Sequence, residues 1–151
     1  MAGSNRFRSL AVGGGGGTLL TDVGLLLVRV GFGGYMAVAH GLGKIKNPGA
    51  MASYVENLGL PAPTAMAWMA GVTEFFGAIF LVLGIVTRPV ATLLAGVMSV
   101  AVFIAHSKDP FIAGPGQPSR ELPMLYLCVF ILFMLAGGGR FSLDALLRKK
   151  G

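Results

Sequence analysis

The chain has one cysteine, Cys128, in 151 residues. A lone cysteine excludes an internal disulfide, a Cys-x-x-Cys redox pair and a cysteine-based metal site within one chain. Any redox role must therefore use a partner or a bound cofactor. Charge is also scarce. Asp, Glu, Lys and Arg make up 12% of the residues, whereas 54% are hydrophobic. A soluble domain of this size cannot cover so much apolar surface, so the composition points to an integral membrane protein. Acidic residues are the scarcest charge, six against twelve basic ones. The basic residues flank apolar runs and form no stripe, which argues against nucleic acid. They read instead as orientation signals and anionic-lipid contacts. A convincing signal peptide is missing too. Arg6 and Arg8 are followed by the glycine run Gly13–Gly17 and not by an apolar core, so residues 1–21 are expected to be a flexible cytoplasmic tail.

What is present is four apolar stretches, at about residues 22–42, 64–86, 89–106 and 121–136. A spanning helix needs about 20 mostly apolar residues. The fold class that follows is all-α: a four-helix transmembrane bundle over residues 22–139, with short flanking amphipathic helices. Asn47-Pro48 reads as the capped start of one such helix, and Thr87-Arg88-Pro89 as a tight turn between spans two and three. Residues 107–120 form a loop, a possible lid, with closely spaced prolines and glycines. Gly137-Gly138-Gly139 stops span four, and residues 140–151 form a basic tail in which Ser142 caps a last short helix. The tails and the Arg88 turn hold more basic residues than the other loops, so the positive-inside rule puts both termini in the cytoplasm of a plasma (inner) membrane protein.

Four apolar spans make their few ionisable residues conspicuous. Arg29 lies about 10 Å into span one, at ~1.5 Å per residue. A charge near a helix centre opposes insertion by roughly 2.5–3.5 kcal/mol, so Arg29 should face protein and have a partner. Glu74 in span two has a similar estimated depth, which predicts a buried Arg29–Glu74 ion pair, either as packing glue or as a substrate site. Gly33, Ala37 and Gly41 form a small-x-x-x-small row that lets span one approach a neighbour closely. A second polar layer, His40, Lys44, His106 and Glu121, falls near the outer interface. It could line a polar site, relay protons or simply be wet. No His-x-x-x-His or Glu-x-x-His spacing is present, so no metal is assigned. Cys128 reads as a small buried residue, and Tyr54 and Trp68 as interface anchors.

Several motifs stand in a fixed order. They are Leu26-Leu-Val-Arg-Val-Gly31, His40-Gly-Leu-Gly-Lys44, Glu74-Phe-Phe-Gly77, Leu83-Gly-Ile-Val-Thr-Arg88, Glu121-Leu-Pro-Met-Leu-Tyr126 and Gly137-Gly-Gly-Arg-Phe-Ser-Leu-Asp144. This set resembles the DoxX family of small four-helix bacterial and archaeal membrane proteins, over nearly everything after residue 22. The resemblance implies a four-helix bundle and an oxidoreductase label. Some archaeal relatives are described as subunits of a thiosulfate:quinone oxidoreductase, and others are linked to redox-stress systems. Arg29, Lys44, Glu74 and Glu121 match the family's polar positions.

The residues contain no haem, flavin or Fe–S motif, so quinone is the cofactor to consider. Three functions compete. The first is a membrane subunit of a redox system that meets quinone or a small oxidisable substrate. The second is a non-catalytic accessory or scaffold subunit among other membrane or redox subunits, or in a homo-oligomer. The third is a small transporter, which the absence of broken-helix repeats disfavours.

Overall fold

The computed structural model describes residues 18–148. The expected N-terminal tail lies outside the described residues up to residue 17. The described residues form helices and no strand. Helix α1 spans Leu19–Lys46, α3 Pro63–Leu83 and α4 Thr87–Ala105, and these three are long and apolar enough to cross a membrane. The short α2, Pro48–Asn57, lies between α1 and α3. Helix α5, Glu121–Ala136, is apolar but has 16 residues. That is about 24 Å at 1.5 Å per residue, against a hydrocarbon core of about 30 Å. A last helix, α6, covers Leu143–Arg148.

Local chemistry sets the ends of these helices. The Thr18 side chain accepts from the Thr21 amide at 3.2 Å and opens α1. Asn47 does the same for α2 through the Ala50 amide, with Pro48 at the first helical position. Ser142 opens α6 by accepting from the Ala145 amide.

One expected boundary moves. Thr87-Arg88-Pro89 is not the turn between spans two and three. The turn is Gly84–Val86, and Thr87 already begins α4. Asp144 causes the shift: its carboxylate accepts from the Val86 and Thr87 amides, each at 2.8 Å, and from the Thr87 hydroxyl at 2.7 Å. The cap therefore comes from the far end of the chain. It also holds Val86 in a left-handed conformation, φ 41°, which for a β-branched residue costs on the order of 1–3 kcal/mol.

The bundle packs in sequence. Helix α1 lies on α3, α3 on α4, and α4 chiefly on α5, while α2 lies on α3. Leu81, Leu94, Phe130 and Phe133 are fully buried at the centre. The outer faces are apolar, with Leu27 67% and Val38 68% exposed, while Arg29 and Glu74 are each 1% exposed. This inside-out distribution suits a lipid solvent, which tolerates ionisable groups only inside the bundle.

The small row on α1 sets the α1–α3 contact. A Cβ on Gly33 would meet Val82 at 2.8 Å, and one on Gly41 would meet the Phe75 amide nitrogen at 2.5 Å. Only hydrogen at these positions lets the two backbones come so close.

Candidate functional site

Two polar clusters sit at opposite ends of the α1–α3 contact, and the predicted Arg29–Glu74 pair does not form. Arg29 turns toward the segment after α5. Its guanidinium donates to the Gly138 carbonyl at 3.0 Å and to the Phe141 carbonyl at 2.9 Å. Asp22 accepts from the Arg140 amide at 3.0 Å in the same region. A Cβ on Gly138 would lie 2.9 Å from the Arg29 guanidinium, so the glycine run makes room for it. The stretch expected as a basic tail from residue 140 therefore folds back on the bundle, at least as far as Ala145, which is buried.

Glu74 pairs with Lys44 instead. Lys44 Nζ donates to both carboxylate oxygens of Glu74, with the Oε2 contact at 2.6 Å. The physical reason is reach and register. Lys44 lies three residues after Gly41, on the side of α1 that meets α3. Gly71 on α3 leaves space for the Lys44 stem, since a Cβ there would lie 3.3 Å from Lys44 Cβ. The Lys44 side chain is 27% exposed, so its ammonium leans inward from the bundle end to a fully buried carboxylate.

Three helices depart from α geometry around this pair. Met36–Gly41, Thr73–Gly77 and Ala101–Ala105 are π-helical. The Leu42 amide reaches back five residues to the Ala37 carbonyl, and the His106 amide to the Ala101 carbonyl. Single π-turns inside α-helices often mark functional sites, because the extra residue widens the helix and re-aims side chains. Here they carry His40, Glu74 and Ala101, which all line one cavity of about 400 Å³. Lys44, His106 and Tyr126 line it as well, and Gln117-Pro118-Ser119 from the 107–120 loop close one side.

The cavity wall is ordered by ring contacts. Tyr126 meets His40 edge-to-face at 5.6 Å between centroids, Phe32 at 5.6 Å, and stacks on Phe130 at 5.7 Å. His40 Nε2 is buried and has no hydrogen-bonding partner among the described residues. His106 Nδ1 contacts Asp109 Oδ2 at 2.7 Å, and Arg120 holds the Asp109 carbonyl at 2.9 Å, which ties the loop to the bundle.

Of the expected outer layer, His40, Lys44 and His106 come together, and Glu74 joins them. Glu121 is exposed and does not line the cavity; Leu122 and Pro123 do. Cys128, read as buried, is exposed on the outer face of α5. Tyr126 was missed by sequence reasoning, although it lies in the Glu121–Tyr126 motif and follows Leu122 by one helical turn. Among the described residues, no three of His, Cys, Asp and Glu gather as a metal site would require.

This geometry gives a charge-balanced, part-buried pair, an imidazole nitrogen without a partner among the described residues and a phenol around one small cavity. Such a site can hold a small molecule with hydrogen-bonding oxygens and can hold or pass protons.

Comparison with known proteins bears on the chain as a whole. It is 34% identical over 123 residues to an uncharacterized protein of Haemophilus influenzae, covering 77% of this chain and 85% of that one. It is 30% identical over 131 residues to the inner membrane protein YqjF of Escherichia coli, covering 87% and 97%. It is 28% identical over 123 residues to a Bacillus subtilis protein named "Putative oxidoreductase CatD", covering 82% and 86%. No solved structure gives a significant match. The DoxX family model matches residues 24–107, which include Arg29, His40, Lys44, Glu74 and His106. The chain belongs to the DoxX family.

Proposed function

We infer that this chain is the membrane-embedded component of a redox system, and that the cavity beside Lys44 and Glu74 holds a small oxidisable molecule or a quinone head group. The observation that carries this reading is the buried Lys44–Glu74 pair opening on a cavity that also exposes His40 and Tyr126. The residues fit a quinone. His40 Nε2 needs a partner, the Lys44 ammonium has one proton to donate beyond the two it gives Glu74, and aromatic rings line the adjoining wall. A bound quinone would supply an acceptor of electrons and protons. The chain's own part is to bind the oxygens, orient the ring and hold protons at His40 and Glu74. The buried Arg–Glu layer expected to do this is replaced by a Lys–Glu pair, and Arg29 serves the opposite end.

The name of the Bacillus subtilis relative supports the oxidoreductase class. That of the Escherichia coli relative supports the inner membrane. With both termini in the cytoplasm, the Lys44 end faces outward. An accessory-subunit reading draws on Leu146 and Leu147, exposed on α6 beside the Arg29 cluster, as a contact for another subunit.

Gentle purification from the native membrane, with mass spectrometry of proteins and extracted quinones, tests the reading. A stoichiometric quinone or small molecule, lost in a Glu74→Gln variant, is the expected result. A fixed set of redox subunits with no small molecule, unchanged by Glu74→Gln, favours the accessory role.

A further inference from the structure

A second cavity, of about 350 Å³, lies against the same ion pair. Its walls are the short helix α2 and the facing sides of α3 and α4, and nearly all of them are apolar. Met51, Leu58, Met69, Leu93, Gly96 and Val97 contribute. Lys44, Glu74 and Ala101 line both this groove and the polar cavity. The ion pair is therefore the shared wall between a polar and an apolar compartment.

We propose that the groove takes the single apolar chain of an uncharged amphiphile whose oxygen-bearing head meets Lys44 and Glu74. This rests on the function proposed above and names the ligand class. Three observations select that occupant. A pure hydrocarbon would leave a charged pair facing apolar matter, and a purely polar molecule would leave the methionine and leucine walls uncovered. The pair is charge-balanced, so a charged head would unbalance it, whereas carbonyl or hydroxyl oxygens accept from Lys44 without adding charge. The groove volume lies at the small end of the ~300–1,000 Å³ range of small-molecule sites, which suits one chain and not the two of a phospholipid. Flexible methionines from α2 and α3 adapt to a chain of irregular shape.

Helix α4 supplies a clean way to block it. Gly96 is exposed and a Cβ there meets nothing within 4 Å, so Gly96→Trp fills the groove without touching the bundle core. Leu93→Trp, at another exposed position in the groove, is an independent second block.

The test uses the full chain in phosphatidylcholine vesicles. The probe is a benzoquinone bearing an alkyl chain with a diazirine near its end. A phosphatidylcholine with the same diazirine is the control. Expected is photolabelling by the quinone probe concentrated on residues 51–60 and 66–70. It should fall about tenfold in Gly96→Trp and Leu93→Trp, and excess decyl-substituted benzoquinone should suppress it. Equal labelling of the groove by the phosphatidylcholine probe would overturn the proposal. So would quinone labelling that stays the same in both folded variants, or that spreads evenly over Leu27, Val38 and Phe103 on the outer faces. If the groove fails while the same benzoquinone without a chain still binds beside Glu74, only this proposal falls. If the chainless molecule also fails to bind, the underlying functional reading falls with it.

Discussion

Replacing Lys44 by methionine should destabilise the protein by about 3–5 kcal/mol, the usual cost of stranding one member of a buried ion pair. Glu74 is 1% exposed and depends on Lys44 for both carboxylate oxygens. Methionine keeps the length of the stem over Gly71 but removes the donor. A second change, Glu74→Leu, should restore most of the loss, because an apolar pair of similar volume is often as stable as the ion pair it replaces. Glu74→Gln alone should cost less than Lys44→Met. The lysine is part-exposed and its flexible stem lets the ammonium turn to water. Unfolding of the wild type, Lys44→Met, Glu74→Leu and the double variant in one detergent gives the coupling between the two sites. Arg29 provides the internal control. It belongs to the other cluster, so Arg29→Met and Glu74→Leu should add within about 0.5 kcal/mol.

Arg29→Met should also be costly, by roughly 2–5 kcal/mol, for a different reason. It removes two charge-assisted hydrogen bonds and leaves the Gly138 and Phe141 carbonyls without their donor. The damage should be local. With the guanidinium gone, the segment after α5 loses its anchor, and Asp144 is drawn away from the start of α4. Hydrogen exchange should therefore rise at residues 137–147 and at Val86-Thr87, while the Lys44 end stays protected. Uniform loss of protection along α1 and α3 would contradict this division of labour.

The contrast between the two arginine and lysine anchors shows what the sequence made legible. The four apolar stretches, the small row Gly33–Ala37–Gly41 and the need of Arg29 for a buried partner all follow from hydropathy and helical spacing. The identity of that partner does not. Similar depth suggested Glu74, but Arg29 donates to backbone carbonyls more than a hundred residues away, with Asp144 as the nearby carboxylate. Carbonyls carry no signature in side-chain patterns. Lys44 reads as part of the outer polar layer and not as the partner of Glu74, because nothing in the pattern says that Gly71 clears a path for its stem. The π-helical turns were invisible for a similar reason. The extra residue in each turn shifts the register of every side chain after it, so a wheel drawn at 3.6 residues per turn misplaces His40. Asp144 capping α4 across 57 residues is also tertiary in origin, and it moved the start of that helix to Thr87.

The central claim is that a ligand's oxygens meet the Lys44–Glu74 pair. Infrared difference spectroscopy tests it most directly, on the full chain in bilayers titrated with a small benzoquinone that carries no chain. The Glu74 carboxylate band, identified by its loss in Glu74→Gln, should shift on addition of the quinone and return when the quinone is washed out. A band that stays in place at saturating quinone, in protein that remains folded, would contradict the account.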